Sequence, residues 1–259
     1  MTGYKRLALV SSNAERAQEA EEQLRASREW VPFEEADAVV ALGGDGLMLQ
    51  VLHQMLDAER VVPVFGLNRG TVGFLMNKYK SSRTLEERME KARKIDVSPL
   101  RMEVLTNNGE REAYFAINEV SLLRETRQSA KLEVSVNGKV RLPEMICDGI
   151  LVATPAGSTA YNLSANGPIL PLGSNMLALT PISPFRPRRW RGAILPDNAD
   201  ITFRTRESVK RPVLVVADHN EVRDVKEVHV KAWPDHKLTL LFDRGQSLDE
   251  RIFTEQFTV

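Results

Sequence analysis

Ala38-Val39-Val40-Ala41-Leu42-Gly43-Gly44-Asp45-Gly46-Leu47-Met48 is the stretch whose reading decides the fold. Its first five residues are apolar and uncharged, which suits a strand buried on both faces. Past the glycines, Met48, Val51, Leu52, Met55 and Leu56 recur at helical spacing, so a helix should leave the glycine turn directly. A buried strand running straight into a helix is the repeating unit of a parallel sheet. The flanking sequence continues the pattern. Arg6 to Val10 is an apolar run, followed by Ser12 and Glu15 at capping-box spacing and a polar helical pattern to about Arg28. Val61 to Phe65 reads as a third strand and Ser81 to Lys94 as a charged surface helix. The expectation is an α/β domain over residues 1–97, its sheet mostly parallel with helices on its faces.

From Ser98 the character changes. Asn108-Gly109 and Asn137-Gly138 are hairpin turn signals between β-rich segments. Leu132, Val134 and Val136 alternate with polar residues, as in a strand with one wet face. Val213 to Ala217, Glu227 to Ala232 and Lys237 to Phe242 are further strand candidates. This places a β-rich domain over 98–236, beginning near Asp96-Val97-Ser98-Pro99, and a last segment over 237–259.

The composition narrows the function classes. The 259 residues carry 35 basic and 35 acidic side chains, and 42% are hydrophobic. That balance argues against a nucleic-acid binder working through a large positive field. No apolar stretch is long enough to cross a bilayer, and the start, Met1 to Val10, is too short for a signal peptide, so no membrane partner is expected. A single cysteine, Cys147, rules out an internal disulfide and a multi-cysteine zinc site, and points to a reducing, cytoplasmic setting.

Two segments can carry chemistry. In Gly43-Gly44-Asp45-Gly46, missing side chains let a ligand approach the backbone, and a helix N-terminus beyond them suits phosphate. A carboxylate there fits a loop that orients a hydroxyl or a metal beside phosphates. The plain alternative, Asp45 as a helix cap, is equally consistent with these four residues alone. The second segment is Asp148-Gly149 followed by Thr154-Pro155-Ala156-Gly157-Ser158-Thr159-Ala160-Tyr161-Asn162-Leu163-Ser164: a buried strand, a loop of small and hydroxylated residues, then a helix start. Thr154, Ser158 and Thr159 can bond a ligand or cap the helix, and Tyr161 can stack on a base.

Together with Gly66-Leu67-Asn68, Gly70, Gly73-Phe74-Leu75 and the pair Asn118-Glu119, these blocks resemble the NAD kinase family in order and spacing over most of the chain. The resemblance implies an N-terminal Rossmann-like α/β domain, a β-sandwich-like C-terminal domain, and a final segment returning to the first. It implies phosphoryl transfer from ATP, or polyphosphate in some members, to the 2′-hydroxyl of the adenosine ribose of NAD. Asp45 would be the proton acceptor, and Gly43, Gly44 and Gly46 would admit phosphates. Asn118 and Glu119 would hold the adenosine. Thr159, Ala160, Tyr161 and Ser164 would line the nucleotide pocket, with Phe74, Ala156, Asn162 and Leu163 beside them. Asp148 would reach the nicotinamide end of an NAD held by a neighbouring subunit in a homodimer or homotetramer, with Ser183 near it. Magnesium would arrive on the donor phosphates, since no His, Asp and Glu cluster suggests a resident metal site.

Some positions depart from the family pattern. Leu47 and Ala156 stand where threonines are usual, Asn166 where a glycine is common, and Asp218-His219-Asn220 where Asp-Gly-Gln is. They bear on substrate preference, whether NAD or NADH, rather than on the reaction. Arg186, Arg188, Arg189 and Arg191 surround Trp190 in a proline-broken loop that reads as a solvated turn or subunit contact, with phosphate binding as the alternative. His53, on the polar side of its helix, His219 and His229 read as structural. Two rivals share parts of the pattern: lipid kinases and phosphofructokinase carry a similar Gly-Gly-Asp-Gly turn, and a nucleotide sensor would bind NAD(H) without turnover. A lipid kinase would need an apolar or basic face, and a sensor would not need Asp45.

Overall fold

The computed structural model describes residues 3–80 and 82–244. The chain divides into two compact units, one of residues 1–97 with 236–259 and one of Ser98–Asp235. The part of the expected last segment beyond residue 244 lies outside the described residues.

The first unit begins with β1 (Leu7–Ser11), α1 (Glu15–Ser27), β2 (Ala38–Gly43), α2 (Asp45–Asp57), β3 (Val64–Asn68), β4 (Asn77–Lys78), α3 (Leu85–Glu90) and β5 (Arg93–Val97). β1, β2 and β3 pair in parallel, as do β3 and β4. Every residue of β2 is buried, the signature of a strand covered on both faces. Phe65 and Leu67 join Ala17 and Ala20 of α1 in one core, whereas a side chain at Gly66 would meet Met48 of α2. Successive strand residues face opposite ways, so α1 and α2 cover opposite faces of the sheet.

Four local expectations need correction. Ser12 does not cap α1: its N–H donates to the Leu42 carbonyl, prolonging the β1–β2 ladder, and Ala14 is the N-cap residue without a side-chain bond. The third strand starts at Val64 rather than Val61, after Pro63, which cannot donate to a ladder. The charged helix shrinks to Leu85–Glu90. Thr84 and Glu87 form a capping box at its start, and Arg93 onward is drawn into a strand. His53 is buried rather than on a polar face, because α2 is covered nearly all round.

The second unit is all antiparallel: β6 (Leu100–Thr106), β7 (Arg111–Ala116), β8 (Glu119–Arg124), β9 (Ala130–Val136), β10 (Lys139–Cys147), β11 (Gly149–Ala153), β12 (Met176–Ile182), β13 (Ala193–Pro196), β14 (Ile201–Thr205), β15 (Val213–Ala217), β16 (Asn220–Val222) and β17 (Val225–Ala232). A short helix, α4 (Tyr161–Ser164), interrupts them. One sheet runs β10-β9-β14-β17-β6-β7 and the other β13-β12-β11-β8-β15-β16. Met102, Val134, Phe203 and Val228 of the first share one core with Leu122, Ile150, Leu179 and Val215 of the second, which makes this unit a two-layer sandwich. Both Asn-Gly turns close hairpins, with Asn137 and Gly138 at φ 52° and 72°. The wet face of β9 is partly covered: Glu133 is buried beneath Arg204 and Arg206. On the outer face of the second sheet, Leu151, Ala153 and Ala178 pack with Leu170 and Tyr161, so the segment after β11 folds back over that strand.

β18 (Leu238–Phe242) belongs to the first unit. It lies between β3, to which it is parallel, and β5, to which it is antiparallel, giving the order β1-β2-β3-β18-β5. Asn77, fully buried, donates to the carbonyls of Gly66 and Leu241 at 3.0 and 2.9 Å. Just after β18, Asp243 receives Arg88 Nη2 at 2.7 Å in a largely buried ion pair.

Candidate active site

In the first unit the site grows from the end of β2. Gly44 is the N-cap of α2 and Asp45 its first residue, yet the Asp45 side chain makes no cap bond. Its two carboxylate oxygens instead accept the backbone N–H groups of Phe74 and Leu75, each at 2.8 Å. The Gly70–Leu75 loop after β3 is therefore brought against the Gly-Gly-Asp-Gly turn. A Cβ on Gly70 would lie 2.9 Å from the Gly44 Cα, and one on Gly73 would lie 2.3 Å from the Asn68 amide nitrogen. Gly73 also holds φ +74°, which a side chain strains. Asn68 spans the loop, accepting from Gly70 N at 2.9 Å and donating to the Val72 carbonyl at 2.9 Å. The four residues of the turn divide the work. A side chain at Gly43 would strike Leu47, whereas nothing lies within 4 Å of where one on Gly46 would point. Gly46 thus leaves open space at the helix N-terminus, where the first-turn N–H groups and the positive dipole end favour anions. Phe74 is buried, so it reaches Asp45 through its main chain.

In the second unit the site is a corner at Ile117-Asn118-Glu119, between β7 and β8. Three successive N–H groups of this corner converge on one carboxylate, that of Asp218: Ile117 at 2.6 Å, Asn118 at 3.0 Å and Glu119 at 3.1 Å. Asp218 N–H returns a bond to the Glu119 carbonyl at 3.1 Å. From the other side Thr154, fully buried, donates its hydroxyl to the Ile117 carbonyl at 2.6 Å, while its N–H meets the Asn118 carbonyl at 2.9 Å. Gly157 packs so closely that a Cβ there would stand 2.1 Å from the Asn118 carbonyl oxygen. The loop after β11 is thereby pinned to the corner, and Tyr161 is brought beside Glu119.

Glu119 is the most perturbed carboxyl of this corner. Burial, and next the nearby Asp218 charge, push its pKa from 4.5 up to about 7, against a smaller opposing pull from the Tyr161 N–H. Its Oε2 is buried without a hydrogen-bond partner among the described residues. An orphaned buried carboxylate oxygen is costly and suits a group awaiting a donor from a ligand. The Tyr161 phenol is also raised, first by burial and then by the charges of Glu119 and Asp148. Asp148, half-buried, pairs with Arg124 at 2.6 Å. Its N–H donates to the Ile182 carbonyl at 3.1 Å, which places the exposed Ser183, φ +46°, in the adjoining turn. The Cys147 thiol beside it is pushed up to about 12, first by burial and also by Asp148, and is inert at neutral pH.

The sequence candidates of the second unit thus fall into two kinds. Asn118, Glu119, Asp148 and Tyr161 are brought together by hydrogen bonds or electrostatics, with Thr159, Ala160, Leu163 and the exposed Ser164 on the same short segment. Asn162 and Ala156 turn inward. Asn162 is fully buried, donating to the Ser158 and Pro168 carbonyls and accepting from Thr180 at 2.7 Å, so its amide is spent holding the loop. Ser158 likewise bonds Leu170 rather than capping a helix. Asp218 carried no role in the sequence reading. Its one signal was its place in Asp218-His219-Asn220, where the family has Asp-Gly-Gln, and its partners lie about a hundred residues upstream. Arg186 and Arg188 flank the exposed Phe185, and Trp190 packs on the sandwich core. Among the described residues no group of three or more His, Cys, Asp or Glu side chains is placed to hold a metal ion. No described helix is long and apolar enough to cross a membrane.

Comparison with known proteins agrees with both halves of this picture. Residues 5–94 match the ATP-NAD kinase N-terminal domain and residues 117–237 the ATP-NAD kinase C-terminal domain. The chain is 63% identical to the NAD kinase of Rhizorhabdus wittichii over 254 residues, covering 98% of each chain. It is 56% identical to that of Zymomonas mobilis, again over 98% of each. Its fold is that of yeast NADH kinase, solved with NADH: the TM-score is 0.80 at 21% identity, over 97% of this chain and 87% of that one. A glycine turn presenting an oriented carboxylate, a sandwich corner with an unsatisfied glutamate, and domain matches along nearly the whole length lead to one conclusion: this chain belongs to the NAD kinase family.

Proposed function

We propose that this NAD kinase transfers the γ-phosphoryl group of ATP to the 2′-hydroxyl of the adenosine ribose of NAD, giving NADP, with Asp45 as the proton acceptor. The observation that carries this reading is the Asp45 carboxylate itself. Each oxygen holds one backbone N–H at 2.8 Å, which fixes its orientation and leaves a second lone pair on each oxygen for a hydroxyl. As the ribose oxygen bonds to the γ-phosphorus, the bond from that phosphorus to the ADP oxygen breaks, ADP leaves, and the hydroxyl proton passes to Asp45. The transition state is loose, so the protein chiefly positions the reactants and balances charge. The α2 N-terminus beside Gly44 and Gly46 supplies N–H groups for phosphate oxygens. The donor is the nucleotide with its magnesium ion, which its own phosphates hold.

The second unit supplies recognition in this reading. Asn118 and the open oxygen of Glu119 take the adenosine, and Tyr161 offers its ring, with Thr159, Ala160, Leu163 and Ser164 beside it. Asp148 and Ser183 serve the nicotinamide end, in a neighbouring subunit's site within a homodimer or homotetramer. A cytoplasmic location fits the lone, buried thiol. The decisive experiment is NADP formation by the purified protein with ATP, magnesium and NAD. Asp45→Asn should lower turnover by about 10² to 10⁴-fold, the range of general-base effects, while NAD still raises the melting temperature. Near-normal turnover by that variant would overturn the assignment.

A further inference from the structure

Asp218 lies outside the set of residues expected to touch NAD, yet it makes the densest set of hydrogen bonds at the nucleotide corner. Three successive N–H groups form a concave anion-binding nest, and this chain fills that nest with its own carboxylate. Oδ2 takes Ile117 N at 2.6 Å, and Oδ1 is shared by Asn118 N at 3.0 Å and Glu119 N at 3.1 Å. Asp218 can reach them because it sits at φ +51° in the tight turn from β15 to β16. β15 pairs directly with β8, Ala217 standing opposite Val120. The backbone of the corner is thus held by Asp218 on one side and by Thr154 on the other. The Glu119 side chain is held less completely: its carboxyl accepts from the Tyr161 N–H, but Oε2 has no hydrogen-bond partner among the described residues.

We propose that Asp218 is a positioning residue for the nucleotide, gripping the amides of Ile117, Asn118 and Glu119 so that the side chains of Asn118 and Glu119 are presented at a fixed angle. The inference rests on the reading that Asn118 and Glu119 hold the adenosine. Charge-assisted bonds from three N–H groups are strong and directional. An amide in place of the carboxylate can satisfy at most part of them, and its NH₂ group would face a backbone donor. Asp218 also acts on Glu119 through space. It is the nearby charge that raises the Glu119 pKa after burial, and the groups around Glu119 are Asp218 from the β15–β16 turn and Tyr161 at the start of α4, itself under the influence of Asp148.

The test is NAD binding by calorimetry, with steady-state kinetics, for Asp218→Asn, for the double variant Asn118→Ala/Glu119→Gln, and for all three substitutions combined. Asp218→Asn should weaken NAD binding about tenfold with turnover at saturation changed by less than about threefold, a split that marks lost binding rather than lost chemistry. Added to the double variant it should cost less than about twofold more, because residues acting through one another are not additive. In a carboxyl-carbon NMR titration Glu119 should also titrate at lower pH in Asp218→Asn, because the neighbouring negative charge is gone. An affinity within about twofold of wild type, or a full tenfold loss persisting in the combined variant, would overturn the proposal. A double variant that binds NAD normally would overturn the reading of Asn118 and Glu119, and this proposal with it. Should Asp218→Asn fold poorly, Asp218→Glu keeps the charge on a longer arm and reads the same coupling.

Discussion

Glu119→Gln isolates the energetics of the buried carboxyl, because the amide is nearly isosteric and cannot ionise. The Glu119 pKa rises from 4.5 to about 7, and each unit is worth about 1.4 kcal/mol between protonation states, so full ionisation in the folded protein costs about 3 kcal/mol. The sign follows from proton counting. Between pH 4.5 and about 7 the folded chain holds a proton at this site that the unfolded chain has released, so this contribution to stability is present below 4.5, falls as pH rises through that window, and is gone above it. The variant lacks the proton and the penalty. Glu119→Gln should therefore match wild type near pH 4.5 and become more stable as pH rises, with the gap levelling off above pH 7 at up to about 3 kcal/mol. At roughly 2–4 °C per kcal/mol, that is a difference of up to about 6 to 12 °C in melting temperature. Paired urea or thermal unfolding of the two proteins from pH 4.5 to 8.5 reads it directly, since other carboxyls cancel in the difference. A gap that stays constant across this range would refute the assignment of a raised pKa to Glu119. Increased stability at the expense of NAD affinity is the expected pattern where a site stores an unsatisfied group.

Other outcomes follow from the same geometry. Gly73→Ala puts a methyl at φ +74°, 2.3 Å from the Asn68 amide; it should cost more than about 2 kcal/mol in urea unfolding, and turnover should fall too, because Phe74 and Leu75 orient Asp45. Arg88→Ala strands the Asp243 carboxylate in a pair whose side chains are only 5% and 16% exposed, so a loss of about 3–5 kcal/mol is expected in the same assay. For the assembly, Asp45→Asn and Asp148→Ala proteins co-refolded into mixed oligomers should regain part of the activity that each lacks alone. No recovery, with mass spectrometry proving that the chains mixed, would reject a site completed by a neighbouring subunit.

What the sequence made legible was what local spacing controls. An uncharged run, two glycines and a helical repeat located β2, the turn and α2, and two Asn-Gly pairs located the hairpins Leu100–Ala116 and Ala130–Cys147. Misreadings arose where distant strands overrode local pattern. Ser12 looked like a cap but stays in the ladder with Leu42, and Arg93 continued a helical charge pattern yet pairs with Phe242. The candidate site divides the same way. Asp45, Asn118, Glu119 and Tyr161 stand out by motif. Asp218 showed only as part of a stretch departing from the family's Asp-Gly-Gln; its grip on backbone amides leaves no trace in residue identity. Nor does composition tell that Asn162 spends its amide inward while Glu119 keeps an oxygen open; only burial and partner geometry separate the two.

The position of β18 has a consequence for biosynthesis. The first sheet is assembled from both ends of the sequence, with the whole sandwich inserted before the strand that lies between β3 and β5. On the ribosome, β1 to β3 emerge early, but the flank of β3 that β18 will occupy waits until residue 242 is made. At about 5–20 residues per second that wait is roughly 10 to 35 s. For that time the apolar first half of this edge, from Val64 to Gly66, is open to pairing with other nascent chains, while β4 already covers Leu67 and Asn68. The sandwich, whose residues are contiguous, can finish folding during the delay. Ribosome-stalled chains ending before and after β18 should differ sharply in protease resistance over residues 38–97 and little over the sandwich, making the returning strand the last step of folding rather than an appendage to it.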